Sequence, residues 1–201
     1  MFKKITLMLF SIAFLLPITA QDIKLNAPNK TSGKPLMEAL SERKSSRNFV
    51  DKELSVDVLS NLLWAANGFN REDKRTAPTA NDKQEIELYV ALKSGVYFYD
   101  AKNAVLKLIK SGDQRKLTGK QDFVPKASAN IILVADMDKA SSREYAYTGC
   151  GYIAQNIYLF AASEGLGSVS RGWYDKDVLT KLLDLPSHKE VLLTQSVGIV
   201  E

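Results

Sequence analysis

The chain has 201 residues, 45% of them hydrophobic and 25% charged, with a formal net charge of +4. That length supports one domain with a real core, and so small a positive balance, with no long basic run, excludes a nucleic-acid surface. Cys150 and His188 are the only residues of their kinds, which excludes an internal disulfide and leaves zinc, Cys-His or Ser-His-Asp chemistry without its usual residues, so an enzyme of this composition would place its hard chemistry on a bound cofactor.

The first twenty residues carry Lys3 and Lys4, continue through an uncharged apolar run and end in Ile18-Thr19-Ala20. This predicts a signal peptide over residues 1–20 and export to the periplasm. Pro17 and the polar stretch after Ala20 argue against a retained anchor, so no stable membrane attachment is expected after cleavage. No cysteine near Ala20 marks a lipoprotein, and no arginine pair marks the route for folded, cofactor-loaded proteins. Cleavage would also remove two lysines and no acid, so two of the four net charges belong to the leader.

Residues 21–35 are polar and bear Pro and Gly, which reads as an N-terminal arm or linker ahead of a domain over 36–201. Leu36, Ala39 and Leu40 share one face of a short helix. Leu59 (or Val58), Leu62, Leu63 and Ala66 share a face of the next, with Ser55 as N-cap and Gly68 as stop. Strands are predicted over 86–92, 95–101, 129–136, 167–173 and 191–200. The 129–136 run is apolar without interruption, which places it centrally. Gly149–Gly167 is apolar on every side and predicts a buried central helix, in which Cys150 acts as a small hydrophobe rather than a nucleophile. Val178, Leu179 and Leu182 line a last helix, capped by Asp175 and closed before Pro186. Together these elements predict an α+β fold with a central mixed sheet flanked by helices.

Three polar patches could carry chemistry. Arg43-Lys44-Ser45-Ser46-Arg47 follows the first helix. It reads either as a phosphate cradle of arginine forks and hydroxyls or as a basic helix end that complements the macrodipole. Arg75–Val90, RTAPTANDKQEIELYV, runs through Pro-Thr-Ala-Asn-Asp, a turn rich in hydroxyl, amide and carboxylate groups, straight into a strand. Ser168–Tyr174, SVSRGWY, leaves a strand through Gly172, where backbone can approach a flat ring. Gly149 and Gly151 form no dinucleotide fingerprint, because Ala154 occupies the third glycine position.

In this order and spacing the patches resemble the nitroreductase superfamily of FMN-dependent oxidoreductases. Arg43–Phe49 fits the opening pattern Arg-Arg/His-Ser-x-Arg/Lys-x-Phe. LLWAANGFN (62–70), RTAPTAN (75–81), IELYVAL (86–92), GVYFYDAKNAVLKLIKSGD (95–113) and GLGSVSRGWYDKDVLTKLLDLP (165–186) are most similar to the branch that includes azoline dehydrogenases. The resemblance spans residues 22–200 and implies a nitroreductase-like fold and a homodimer with one FMN in each of two clefts lined by both subunits. It implies that Arg43, Lys44, Ser45 and Arg47 take the phosphate and ribityl end, and that Gln121 stands near the pyrimidine edge. Ser170, Arg171 and Gly172 would pass the isoalloxazine, and Pro78, Thr79, Ala80 and Asn81 would reach the partner's flavin.

The activity so implied is hydride transfer through flavin N5, with NADH or NADPH as donor and a nitroaromatic, quinone or similar small molecule as acceptor. The alternatives are dehydrogenation of a small or peptide-derived substrate and non-catalytic flavin binding. No side chain needs to be a strong acid or base. Arg171 is the candidate for electrostatic help, and Trp173 or Phe69 for substrate walls. Two departures from the family pattern stand out. Asn81 and Asp82 occupy positions usually held by smaller or neutral residues, and the added carboxylate would oppose an anionic reduced flavin unless Lys83 offsets it. Relatives that continue past the last strand add Lys or Arg to the phosphate site, whereas the last residue here is Glu201.

Overall fold

A computed structural model describes residues 21–201, and the leader expected over residues 1–20 lies outside them. The elements in chain order are β1 (Ile23–Lys24), α1 (Leu36–Glu42), α2 (Val56–Asn67), β2 (Ile86–Ala91), β3 (Gly95–Asp100), β4 (Val105–Ser111), β5 (Ala129–Asp136), α3 (Arg143–Ser163), β6 (Gly167–Arg171), α4 (Lys176–Leu182) and β7 (Lys189–Gly198).

The uninterrupted apolar run of β5 is buried along its whole length because the sheet is covered on both faces. Ile131 and Leu133 pack with Leu62 and Leu63 of α2 and with Ile153 and Ile157 of α3. Ile132 and Val134 pack on the other face with Leu179 and Leu182 of α4. The strands form one seven-stranded sheet in the order β1-β4-β3-β2-β5-β7-β6. Every pairing is antiparallel, with Leu88 opposite Leu133 and Leu133 opposite Leu193. The α+β, nitroreductase-like architecture therefore holds, but the sheet is antiparallel throughout rather than mixed. The helix joining β5 to β6 does not return the chain parallel to its neighbour, since β6 pairs only with β7.

Ser55 caps α2 by accepting the Val58 N–H at 3.3 Å, and Asp175 caps α4 by accepting from Val178 at 3.2 Å. A cap contributes ~1 kcal/mol, whereas each fully buried leucine of α2 contributes ~1.5–3 kcal/mol, so packing fixes this helix and the cap sets its start. Two other helices depart from expectation. In α1 only Ala39 is buried; Leu36, Met37 and Leu40 are 62%, 75% and 42% exposed. The apolar stripe is there, but none of the described residues covers it. In α3, which begins at Arg143 behind the cap Ser142, burial runs along Ala146, Gly149, Cys150, Ile153, Ala154, Ile157 and Ala161. Tyr145, Tyr147 and Tyr152 are open to solvent, so the helix is buried on one side rather than all round.

The arm is strapped down. β1 pairs with β4, and Asp22 accepts the Leu108 N–H at 2.8 Å. The backbone N–H groups of Asn26 and Asn29 donate to Ser60 and Asn61 of α2, and that of Lys34 donates to Ser163 of α3. Among the described residues no helix is long and apolar enough to cross a membrane.

Candidate functional site

The segment after α1 lies along the open edge of the sheet. β6 is the last strand, so its outward N–H and C=O groups have no strand partner. The Ser46 N–H donates to the Ser168 carbonyl at 2.9 Å, and the Ser170 N–H donates to the Tyr158 hydroxyl at 2.8 Å. This close passage needs Gly167, because a Cβ there would fall 2.2 Å from Val200 and 2.9 Å from Ser46.

Tyr158 of α3 joins the pieces. Its hydroxyl lies 3.0 Å from Ser45 Oγ, and since it accepts from Ser170, its own proton is available to Ser45. The Arg43 guanidinium sits over the same ring, 5.3 Å from the centroid. Arg43 is half-buried and Lys44, Ser45 and Arg47 are exposed. Lys44 lines a hollow of about 480 Å³ with Tyr158, Ser168 and Val200, whereas Arg47 lines another of about 350 Å³ with Phe123, Asp122 and Glu201. Neither hollow takes in both arginines. Downstream of this segment, buried Arg115 forms a fork to Asp113 and bonds Asp51 and the Ala127 carbonyl, tying the two stretches together.

Arg171 departs from the expected role of a side chain beside a ring. It is buried, its guanidinium donating to the Thr118 carbonyl at 3.0 Å and to Asn130 Oδ1 at 3.1 Å, with no partner for Nε among the described residues. Burial lowers its pKa to about 10. A Cβ at Gly119 would strike its Nη1 at 1.8 Å, so the 118–121 turn closes over Arg171 only with glycine there. Nearby, the buried Ser170 Oγ and Gln121 Oε1 have no hydrogen-bond partner among the described residues. A Cβ on exposed Gly172 would meet nothing within 4 Å, and Trp173 beside it is 62% exposed.

The second patch stands apart from the first. Pro78, Thr79 and Asp82 line a hollow of about 300 Å³ with Arg71, Lys74 and Arg75, which shares no wall residue with the one at Lys44. Asn81, Asp82 and Gln84 all adopt left-handed backbone, with φ of 52°, 53° and 48°. Such conformations cost energy in non-glycine residues, and here side-chain bonds hold them. Thr79 Oγ1 accepts the Gln84 N–H at 2.9 Å, and Gln84 Nε2 reaches the Asp73 carbonyl at 2.7 Å. Asp82 is paired with Lys74 rather than with its neighbour Lys83, because the left-handed turn carries it back toward residue 74. That hydrogen bond, with Gln84 beside it, lowers the Asp82 pKa. Phe69 is half-buried beneath the Arg75 guanidinium, 4.4 Å from its ring centroid.

Cys150 is buried, and burial, with Glu85 close by, pushes its thiol up to about 12, in keeping with a packing role. His188, which the sequence left without a role, stands near Asp138 at 3.8 Å. Tyr158 and Arg115 were the residues that sequence reading missed. Neither lies in a distinctive local pattern: Tyr158 acts through Ser45 and Ser170, and Arg115, besides its fork to nearby Asp113, reaches back to Asp51.

Residues 40–199 match the nitroreductase family, and the chain belongs to it. It is 30% identical over 183 residues to a nitroreductase-like protein of Methanocaldococcus jannaschii, an alignment covering 81% of this chain and 90% of that one. A nitroreductase-like crystal structure from Ralstonia eutropha JMP134 superposes with a TM-score of 0.85 at 37% identity, covering 92% of each chain. The Escherichia coli microcin synthetase complex McbBCD shares the fold at a TM-score of 0.71 and 20% identity, over 94% of this chain and 78% of that one.

Proposed function

We propose that this nitroreductase-type oxidoreductase is an FMN-dependent homodimer that reduces a small nitroaromatic, quinone or similar acceptor with NADH or NADPH as donor. The observation that carries the reading is the Arg43–Ser45–Tyr158–Ser170 constellation on the sheet edge. The residues present fit the cofactor. Ser170 Oγ and Gln121 Oε1 are buried polar atoms without partners among the described residues, and the space over Gly172 is clear. When bound, FMN supplies two-electron hydride chemistry at N5.

In this reading Arg43, Lys44, Ser45 and Arg47 hold the phosphate and ribityl end, with Tyr158 fixing Ser45. Gln121 faces the pyrimidine edge. The backbone of Ser170–Gly172 lies along the ring, while the buried Arg171 side chain keeps that strand end in place. Pro78, Thr79, Ala80 and Asn81 complete the cleft from the partner protomer, which accounts for two patches with no common hollow in one chain. The exposed Leu36, Met37 and Leu40 of α1 and the exposed tyrosines of α3 supply apolar surface for the second copy. Pairing of Asp82 with Lys74 relieves the like-charge conflict with a reduced flavin. Export to the periplasm belongs to the proposal on the leader pattern alone.

Arg43→Ala tests the placement. It is expected to weaken FMN binding by about 1.5–3 kcal/mol, the scale of a hydrogen bond to a charged group, in a fluorescence titration. Unchanged affinity would remove Arg43 from the site. Sedimentation of the FMN-loaded protein is expected to give a dimer.

A further inference from the structure

We propose that the hollow beside Pro78 and Thr79 receives an anionic group on the substrate, so that the enzyme selects small planar molecules bearing a carboxylate. The inference rests on the reading above, in which Pro78 and Thr79 face the partner's flavin, and it adds the substrate class. Three cations, Arg71, Lys74 and Arg75, line this hollow with one carboxylate, Asp82. Lys74 is committed to Asp82 and to Asp73 at 3.0 Å. Neither arginine is in a direct ion pair among the described residues, although Asp82 lies within Coulomb reach of Arg71 and Glu87 of Arg75. Among the described residues, Arg71 bonds through its side chain only to Asn70 Oδ1, at 3.3 Å, and Arg75 only to Gln84 Oε1 and the Asn67 carbonyl, at 3.0 and 2.8 Å. All three acceptors are neutral.

Arg75 is more than a solvated surface charge. It is half-buried, and burial lowers its pKa although Glu87 acts on it through space, so it is partly desolvated with no carboxylate in direct contact among the described residues. A guanidinium in that condition gains most from a carboxylate, which accepts two parallel N–H bonds. It is also held ready. Phe69 supports its face, and Gln84, itself fixed by Thr79 and the Asp73 carbonyl, holds Nε. A donor already in place spares the ordering cost of binding. The volume of about 300 Å³ suits a ring-sized acid and is too small for a whole dinucleotide.

The test uses FMN-reconstituted protein and compares KM for 4-nitrobenzoate with that for its neutral analogue 4-nitrobenzamide. The acid is expected to be preferred by roughly tenfold, the gain of one charge-assisted contact, and Arg71→Gln and Arg75→Gln should each bring the ratio toward one. Calorimetric titration of benzoate gives a readout without turnover and should lose its heat in the same variants. Arg75 also bonds the Asn67 carbonyl, so should Arg75→Gln fail to fold, exposed Arg71→Gln decides. Equal KM values for acid and amide with no benzoate heat would overturn the proposal. So would a loss, in Arg71→Gln, of discrimination between NADPH and NADH with the acid preference intact, since the hollow would then serve the dinucleotide phosphate. Benzoate heat in a protein that retains no flavin would uphold the anion site while refuting the flavin reading beneath it.

Discussion

Tyr158→Phe removes one oxygen from the point where three parts of the site meet. The hydroxyl accepts the Ser170 N–H at 2.8 Å and lies 3.0 Å from Ser45 Oγ. The ring stays, so the Arg43 contact at 5.3 Å, worth ~0.5–1 kcal/mol at an exposed site, survives the change. The main loss is at Ser170, whose half-buried backbone donor on an edge strand is left unpaired, at a cost of ~1–3 kcal/mol. Water reaches part of that edge, which places the expected destabilisation at about 1–2 kcal/mol. Ser45 also loses its anchor, and FMN affinity should fall roughly 5–30-fold if the same energy is felt in binding. Urea unfolding followed by circular dichroism gives the first quantity and FMN fluorescence the second. A stability change within about 0.3 kcal/mol, with FMN affinity intact, would show that Tyr158 is a packing residue and that the edge does not organise the site.

Two further outcomes follow from ionisation. The Cys150 thiol, held protonated by burial and by Glu85 near it, should resist iodoacetamide in the native protein and react after denaturation; rapid native labelling would contradict its burial. Asp100 is held down at about 2 by hydrogen bonds from Lys107 and Asn103. Its folded pKa is depressed, so its stabilisation is present above the ordinary carboxylate range and is lost as pH falls through about 2. Asp100→Asn should therefore be less stable than the parent at neutral pH and converge with it at pH ~2. A difference that does not vary with pH would refute the ion-pair account.

The sequence was most legible where one protomer buries its own pattern. The periodic leucines of α2 and the continuous run of β5 announce a helix and a doubly covered strand because their partners lie within the chain. β4 was missed because it lies near the sheet margin, with Leu106 its one fully buried residue and lysines at 107 and 110. β1 is two residues long, too short for a pattern. The leucines of α1 were legible as an apolar stripe, but a stripe does not say whether the rest of the fold packs on it, and here it stays exposed. The basic segment after α1 was found, whereas Tyr158 was not, since a tyrosine in an apolar helix reads as packing until the edge strand is seen beside it. Arg171 could have been placed from alternation alone. Ser168 and Ser170 share one face of β6, which leaves Arg171 on the other, where Asn130 receives it. Asp82 illustrates the limit of reading neighbours, because a left-handed turn chose Lys74 over Lys83.

The most direct test of the central claim is the visible spectrum of the purified protein after incubation with FMN and desalting, followed by anaerobic NADH. Retained flavin bands that bleach on addition of the nucleotide are the expected result. A protein that emerges colourless, with no flavin held by the Arg43–Ser45–Tyr158 edge, would contradict the account.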